Sequence, residues 1–481
     1  MTRTTVAQAP GPLRSATSVV AVPTAEGERA DDWPHTRRLL PWLLAGFLAM
    51  LYLLPIDVIQ FHVDPPFDPR PDRFAIVGLV LLWLAVTFTA RGEVASRPAR
   101  GARRAILVYL TIAVTSVLLN LETLARLDEI ELAQKRLFLL FGFAALFYIA
   151  VASIKPSELR NFGILLVVLA CITAVGTLWE FRTDFNPFYV WSKDLLGSIA
   201  EVPPPPSDVG QPRELTVGPT QHGLALACIM TFALPFAVVG LMDCQRSRTK
   251  ILYGIAICLL VAGSMATLRK TGAVGPLVAV GVLLAYRPRK MVALAPLAVI
   301  LAIVVTAIAP AAIGTVVDQF RNGFFENGST EARTSDYAAL EPDVTAHPLL
   351  GRGYGSLDPI RADSYRILDN EYLGQVFQVG FIGVAAYLVM IGAAVAIAHP
   401  VARSRDPTRS SYALAAAAGC AVFAAVSALF DVLSFPQVPY MFFFLAGMIT
   451  VAASGGSGRA EVRRQWGTPH TGGMLARPGA G

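Results

Sequence analysis

The chain has 481 residues, 54% of them apolar and only 15% charged, with a formal net charge of +6. Soluble globular proteins carry about 25% charged residues. A deficit sustained over this length excludes a disordered protein, a disulfide scaffold and an ordinary cytosolic enzyme, and leaves a polytopic membrane protein. The five cysteines form no Cys-x-x-Cys pair and no Cys/His cluster, so neither a zinc site nor a disulfide framework is implied, and they read as small buried hydrophobes.

Residues 1–38 are polar, rich in Pro, Ala and Thr, and aperiodic, and read as a disordered tail without a cleavable signal peptide. A helix crosses a bilayer with about 20 apolar residues. Twelve segments fit, near 39–56, 74–90, 105–121, 137–153, 161–179, 222–242, 251–267, 272–286, 291–314, 372–398, 411–430 and 437–453. The expected fold is an all-α integral membrane protein of about twelve transmembrane helices, in a membrane domain over 39–453, with a second tail over 454–481. With the amino terminus cytoplasmic, the five inner loops hold 16 Lys and Arg against 4 Asp and Glu, whereas the outer loops are acidic on balance. Lys and Arg in short loops set orientation, so both tails are expected in the cytoplasm. The basic excess then describes topology and does not imply nucleic acid.

Two outer segments are long. Residues 181–221 contain the stiff run Pro203 to Pro206, and residues 315–371, between spans nine and ten, include a helix-like stretch near 331–346. Loops of this length in an economical bundle are usually functional, which directs attention to the outer face.

Four features there could carry chemistry. Arg269 and Lys270 stand in the short hairpin between spans seven and eight, either snorkelling to the interface or binding a phosphate-bearing anion. The run from Arg213 through Gly218-Pro219-Thr220-Gln221-His222 enters span six, where backbone N–H groups favour anions, and His222 is either a cap or a catalytic group. In the large loop, Arg333, Asp336 and Tyr337 precede His347–Ser356, whose glycines at 351, 353 and 355 permit a tight backbone path close to a ligand. Finally, Asp369-Asn370 precedes span ten, as a helix cap or as a carboxylate poised to act as general base. The predicted span interiors lack ionisable residues at their middles, which argues against an ion-coupled pump.

In order, spacing and topology these features resemble the O-antigen ligase / O-antigen polymerase superfamily of bacterial membrane glycosyltransferases, most closely at Gly218–Ala225, Ala266–Gly275, Arg333–Ser356 and Asp369–Gly383. The ligase branch carries His, then Asn or Ser, nine residues, Gly, two residues and Gly; Asn370, Gly380 and Gly383 match, but Asp369 stands at the His position. That departure favours a polymerase, or a relative with another acceptor, over a lipid A-core ligase. The resemblance implies a metal-independent, inverting transferase without cofactor in the bacterial cytoplasmic membrane, its site facing outward. Its partners would be a polyprenyl diphosphate-linked glycan donor, a glycan or glycolipid acceptor, the bilayer and other polysaccharide-assembly proteins. Arg269 aligns with a family arginine after the seventh span, and Arg213, Arg333 and Lys270 stand where the donor's diphosphate could be held. Asp369 or His222 would be the base, with Asn370, Asp336, Tyr337 and Gly353 in support. A lipid-linked oligosaccharide flippase and a noncatalytic assembly scaffold are the competing readings.

Overall fold

In the computed structural model, residues 31–63, 65, 67–89, 100–205, 216–308, 329–357 and 370–454 are described. The chain runs α1 (Leu39–Leu53), β1 (Gln60–Phe61), α2 (Pro71–Thr89), α3 (Arg100–Leu119), α4 (Leu121–Arg126), α5 (Ile130–Ser153), α6 (Leu159–Thr183), α7 (Pro187–Leu196) and β2 (Ala200–Glu201). It continues with α8 (Gly223–Asp243), α9 (Ser247–Ala266), α10 (Lys270–Tyr286), α11 (Pro288–Val292), α12 (Ala295–Ile308), α13 (Ser329–Ala346), α14 (Glu371–Ala402), α15 (Pro407–Val426) and α16 (Gln437–Ser454). The protein is an all-α integral membrane protein. Among the described residues, nine helices are long and apolar enough to cross a membrane, while α1 and α10 are shorter apolar helices.

The segments expected to span fall on helices, but 291–314 is divided between α11 and α12 and runs past the described residues, and 372–398 is interrupted at Gly380; elsewhere the differences lie at the ends. Helix α15 begins four residues earlier than hydropathy predicts, because Asp406 accepts a hydrogen bond from the Arg409 N–H (3.2 Å) and Pro407 occupies the first helical position. Arg409 then folds back to donate to the Ala452 carbonyl, so a polar first turn is satisfied inside the bundle. The two-residue antiparallel pairing of β1 with β2 leaves no hydropathy signal.

Helices α8 and α16 are buried along nearly their whole length and form the centre of the bundle. Lipid supplies no hydrophobic drive between apolar helices, so close packing and small residues must do so. The alanines of α15 at 413 and 415–418 meet this need against both central helices. Of the cysteines, Cys228 and Cys420 are buried as expected, whereas Cys171, Cys244 and Cys258 are partly exposed; all five are free thiols.

Candidate active site

The turn at Gly218 is built around one carboxylate. Gly218 adopts φ +55°, its N–H donates to Glu180 Oε2 (2.8 Å), and its carbonyl accepts from Asn186 Nδ2 (2.9 Å). Asn186 also bonds Glu180 Oε1 (2.8 Å) and caps α7 through Oδ1, so the end of α6, the start of α7 and the turn form one unit. Beyond it, the Gln221 N–H donates to Asp57 Oδ2 (2.8 Å), and His222 caps α8 by accepting the Leu224 N–H on Nδ1 (3.2 Å). That bond commits Nδ1 as an acceptor toward the backbone of the helix it caps.

Burial raises the Asp57 carboxyl to about 6, against the hydrogen bond from the Gln221 N–H and the charge of Arg70. A raised carboxyl contributes stability that is fully present below its unfolded value, about 3.9, and is lost as pH rises through 6. Asp57→Asn is therefore expected to gain stability relative to the native protein between pH 4 and 7, by up to about 3 kcal/mol, and no further above that. Thermal unfolding in detergent across this range checks it, and a difference independent of pH would contradict it.

Helix α14 is broken at Gly380 (φ 67°, ψ −173°), and the glycine loop docks into the break. The Arg352 N–H donates to the Phe377 carbonyl (2.9 Å) and Gly353 N–H to Gln378 O (3.1 Å), while Phe381 and Ile382 N–H groups donate to the Pro348 and Leu349 carbonyls (2.9 and 3.2 Å). From the other side, Ser116 of α3 donates to the carbonyls of Leu350 (2.6 Å) and Gln378 (2.9 Å). Arg352 secures the loop by pairing with Glu129 (2.5 Å) and stacking over Phe377 (5.2 Å). The close approach that the glycines permit is thus to the backbone of the broken helix: Gly351 meets Gln378, and Gly380 meets Leu349.

These elements enclose a polar cleft of about 440 Å³ lined by His222, Gln221 and Tyr354. Arg70, Arg73, Lys135 and Arg136 also line it, together with the carboxyls of Glu371 and Asp431. Asn370 caps α14 by accepting the Tyr372 and Leu373 N–H groups (3.0 and 3.3 Å), which fixes Glu371 in the first turn. Glu371, 3% exposed, accepts from Gln375 Nε2 (2.7 Å) and the Leu433 N–H (3.1 Å) and hydrogen-bonds Asp431. Tyr109 extends the chain by donating to Gln375 Oε1 (2.7 Å).

Among the cations, Arg73 is chelated by Asp72 (2.6 and 2.7 Å), and Lys135 pairs with Glu131 (2.6 Å) and Asp68 (3.5 Å). Arg70 makes no ion pair among the described residues, although burial and the neighbouring Arg73 hold its pKa below the usual arginine value.

Of the residues expected at a site, His222 lines the cleft and Asn370 holds the helix that delivers Glu371 to it. Arg269 precedes α10 and lies against Gly223, so the hairpin and the turn before α8 meet; Lys270 opens α10 beside it. Arg333 and Asp336 are on α13, their side chains outside the described residues, and Tyr337 on that helix is 52% exposed. Gly353 (φ 125°) faces Leu124. Arg213 and Asp369 lie outside the described residues. Sequence reasoning missed Arg70, Arg73, Lys135, Arg136, Glu371 and Asp431. The signal for the cations is the clustering of charges immediately before α2 and at the start of α5.

The protein is thus a multi-pass membrane protein whose apolar helical bundle carries a cleft of cations and paired carboxyls at one end. Residues 254–388, from α9 into α14, match the O-antigen ligase family model and so support the O-antigen ligase superfamily for this chain. That family indicates a glycosyltransferase-like enzyme of polysaccharide assembly, with a lipid-linked glycan donor, an acceptor and the membrane as partners. No curated protein matches the chain.

Proposed function

We propose that the protein transfers a glycan from a polyprenyl diphosphate carrier to a sugar hydroxyl at the outer face of the bacterial cytoplasmic membrane, as a polymerase or a ligase. The observation that supports this reading is the juxtaposition of Arg70, which makes no ion pair among the described residues, with the Glu371–Asp431 pair in one cleft. The acceptor oxygen attacks the anomeric carbon, the bond from that carbon to the diphosphate oxygen breaks, and the polyprenyl diphosphate leaves with the electron pair. A single displacement inverts the anomeric centre. The hydroxyl proton passes to the Glu371–Asp431 pair, or to Asp369 just upstream. Charge growing on the diphosphate is met by Arg70, by Arg269, and by Arg213 or Arg333 from the outer loops. Guanidinium groups suit this because their planar fork matches phosphate oxygens and their charge is already in place as the transition state forms.

The test is incubation of the purified protein with a synthetic polyprenyl diphosphate oligosaccharide and a saccharide acceptor. A transferase extends or transfers the glycan; a flippase only moves it and a scaffold does neither, and either of those results overturns the proposal. Arg70→Ala is expected to lower product formation about 100-fold or more, on the scale of removing one preorganised transition-state donor. Arg269→Ala should do likewise with folding retained. Product formation at the native rate in Arg70→Ala would remove that arginine from the reaction.

A further inference from the structure

A second cavity, about 910 Å³ and apolar, runs along the side of the bundle between α6 and α9. Val168, Ile172 and Val175 of α6 and Leu252 of α9 line it while remaining 42–66% exposed, so its open side faces the lipid. Arg160 lines one end and Trp179 and Trp191 line the other. At 1.5 Å per residue, Arg160 and Trp179 lie about 28 Å apart, close to the thickness of a bilayer's hydrocarbon core.

The two ends differ in charge. Arg160 is the single charged residue among the described residues lining the cavity. It stands exposed in the first turn of α6, near the side chains of Tyr253 and Tyr412, and makes no ion pair among the described residues. Thr249, in the first turn of α9, lines the cavity as well, flanked by Arg248 and Lys250 and preceded by Arg246, all exposed and likewise outside any ion pair among the described residues. Asp243, the acidic residue of that connection, is engaged by Arg287 (3.4 Å) and Lys290 (2.8 Å). Both helices begin here, adding the positive ends of two dipoles.

We propose that this groove binds an anionic diacyl phospholipid, its acyl chains along α6 and α9 and its phosphate on Arg160 and the Arg246–Lys250 connection. Charge selects this occupant over the chain of a polyprenyl donor, whose phosphates would fall at the tryptophan end, where no cation lines the cavity among the described residues. The site lies away from the polar cleft and does not depend on the transferase reading.

The test is native mass spectrometry of the full-length protein in neutral detergent, titrated separately with phosphatidylglycerol, phosphatidylcholine and undecaprenyl monophosphate. One phosphatidylglycerol is expected to bind at least 10-fold more tightly than phosphatidylcholine. The double variant R160Q/R248Q should lower that preference to near unity, and Ile172→Trp, which fills the groove, should weaken both phospholipids while melting at the native temperature. The proposal is overturned if the two phospholipids bind alike to the native protein, if the preference survives in R160Q/R248Q, or if undecaprenyl monophosphate displaces the bound phosphatidylglycerol.

Discussion

Glu371→Gln is expected to reduce glycan transfer by about 10²–10⁴-fold, the range over which a positioned general base contributes. Glutamine keeps the size of the side chain, but it has one acceptor oxygen for the two donors, Gln375 Nε2 and the Leu433 N–H, and it cannot take up a proton. Asp431→Asn should show a smaller loss, because Glu371 keeps its place and only the carboxyl that hydrogen-bonds it is replaced. Substrate affinity should change less than turnover in both, since the defect lies in proton acceptance rather than donor binding. Asp369→Asn, measured beside them, separates the two assignments. A native rate in Glu371→Gln together with a large loss in Asp369→Asn would move the base to Asp369. His222→Ala should cost less than Glu371→Gln, because its Nδ1 is committed to the backbone.

The largest structural effect is expected at Gly380. Its φ of 67° with ψ of −173° falls in a region that essentially only glycine occupies, and a methyl group there would overlap the Leu349 carbonyl. Gly380→Ala should destabilise the protein by about 3–5 kcal/mol, combining backbone strain with loss of the loop from the helix break. Gly351→Ala should do much the same from the opposite side, since it is also left-handed and abuts Gln378. Gly392, further along α14, has open space around it, so Gly392→Ala should shift stability by no more than about 1 kcal/mol. Melting temperatures in detergent compare the three, and equal melting of Gly380→Ala and Gly392→Ala would refute a docked break.

The same two regions show what a one-dimensional reading reaches. The spacing of Asn370, Gly380 and Gly383 stood out in the sequence, and so did the glycines at 351, 353 and 355. Their mutual purpose did not. Glycine reports that a backbone needs room without saying what fills it, and here each run supplies the other's neighbour. Likewise His222 could be placed at the start of a helix, but whether its ring caps or catalyses depends on where Nδ1 points.

Composition and hydropathy by themselves determined the class and most of the helix positions, because a bilayer dictates length and apolarity segment by segment. Helix ends moved by a few residues wherever a cap such as Asp406 overrode hydropathy. The tertiary structure alone decided which charges meet. Arg70, Arg136, Glu371 and Asp431 come from four separate parts of the chain and converge only because α2, α5 and α14 open onto the same end, with α15 delivering the connection that carries Asp431. Charge is additive along a sequence, whereas burial and pairing are set by neighbours in space. They leave Arg70 without an ion pair among the described residues, while Arg73, three residues on, is held by Asp72.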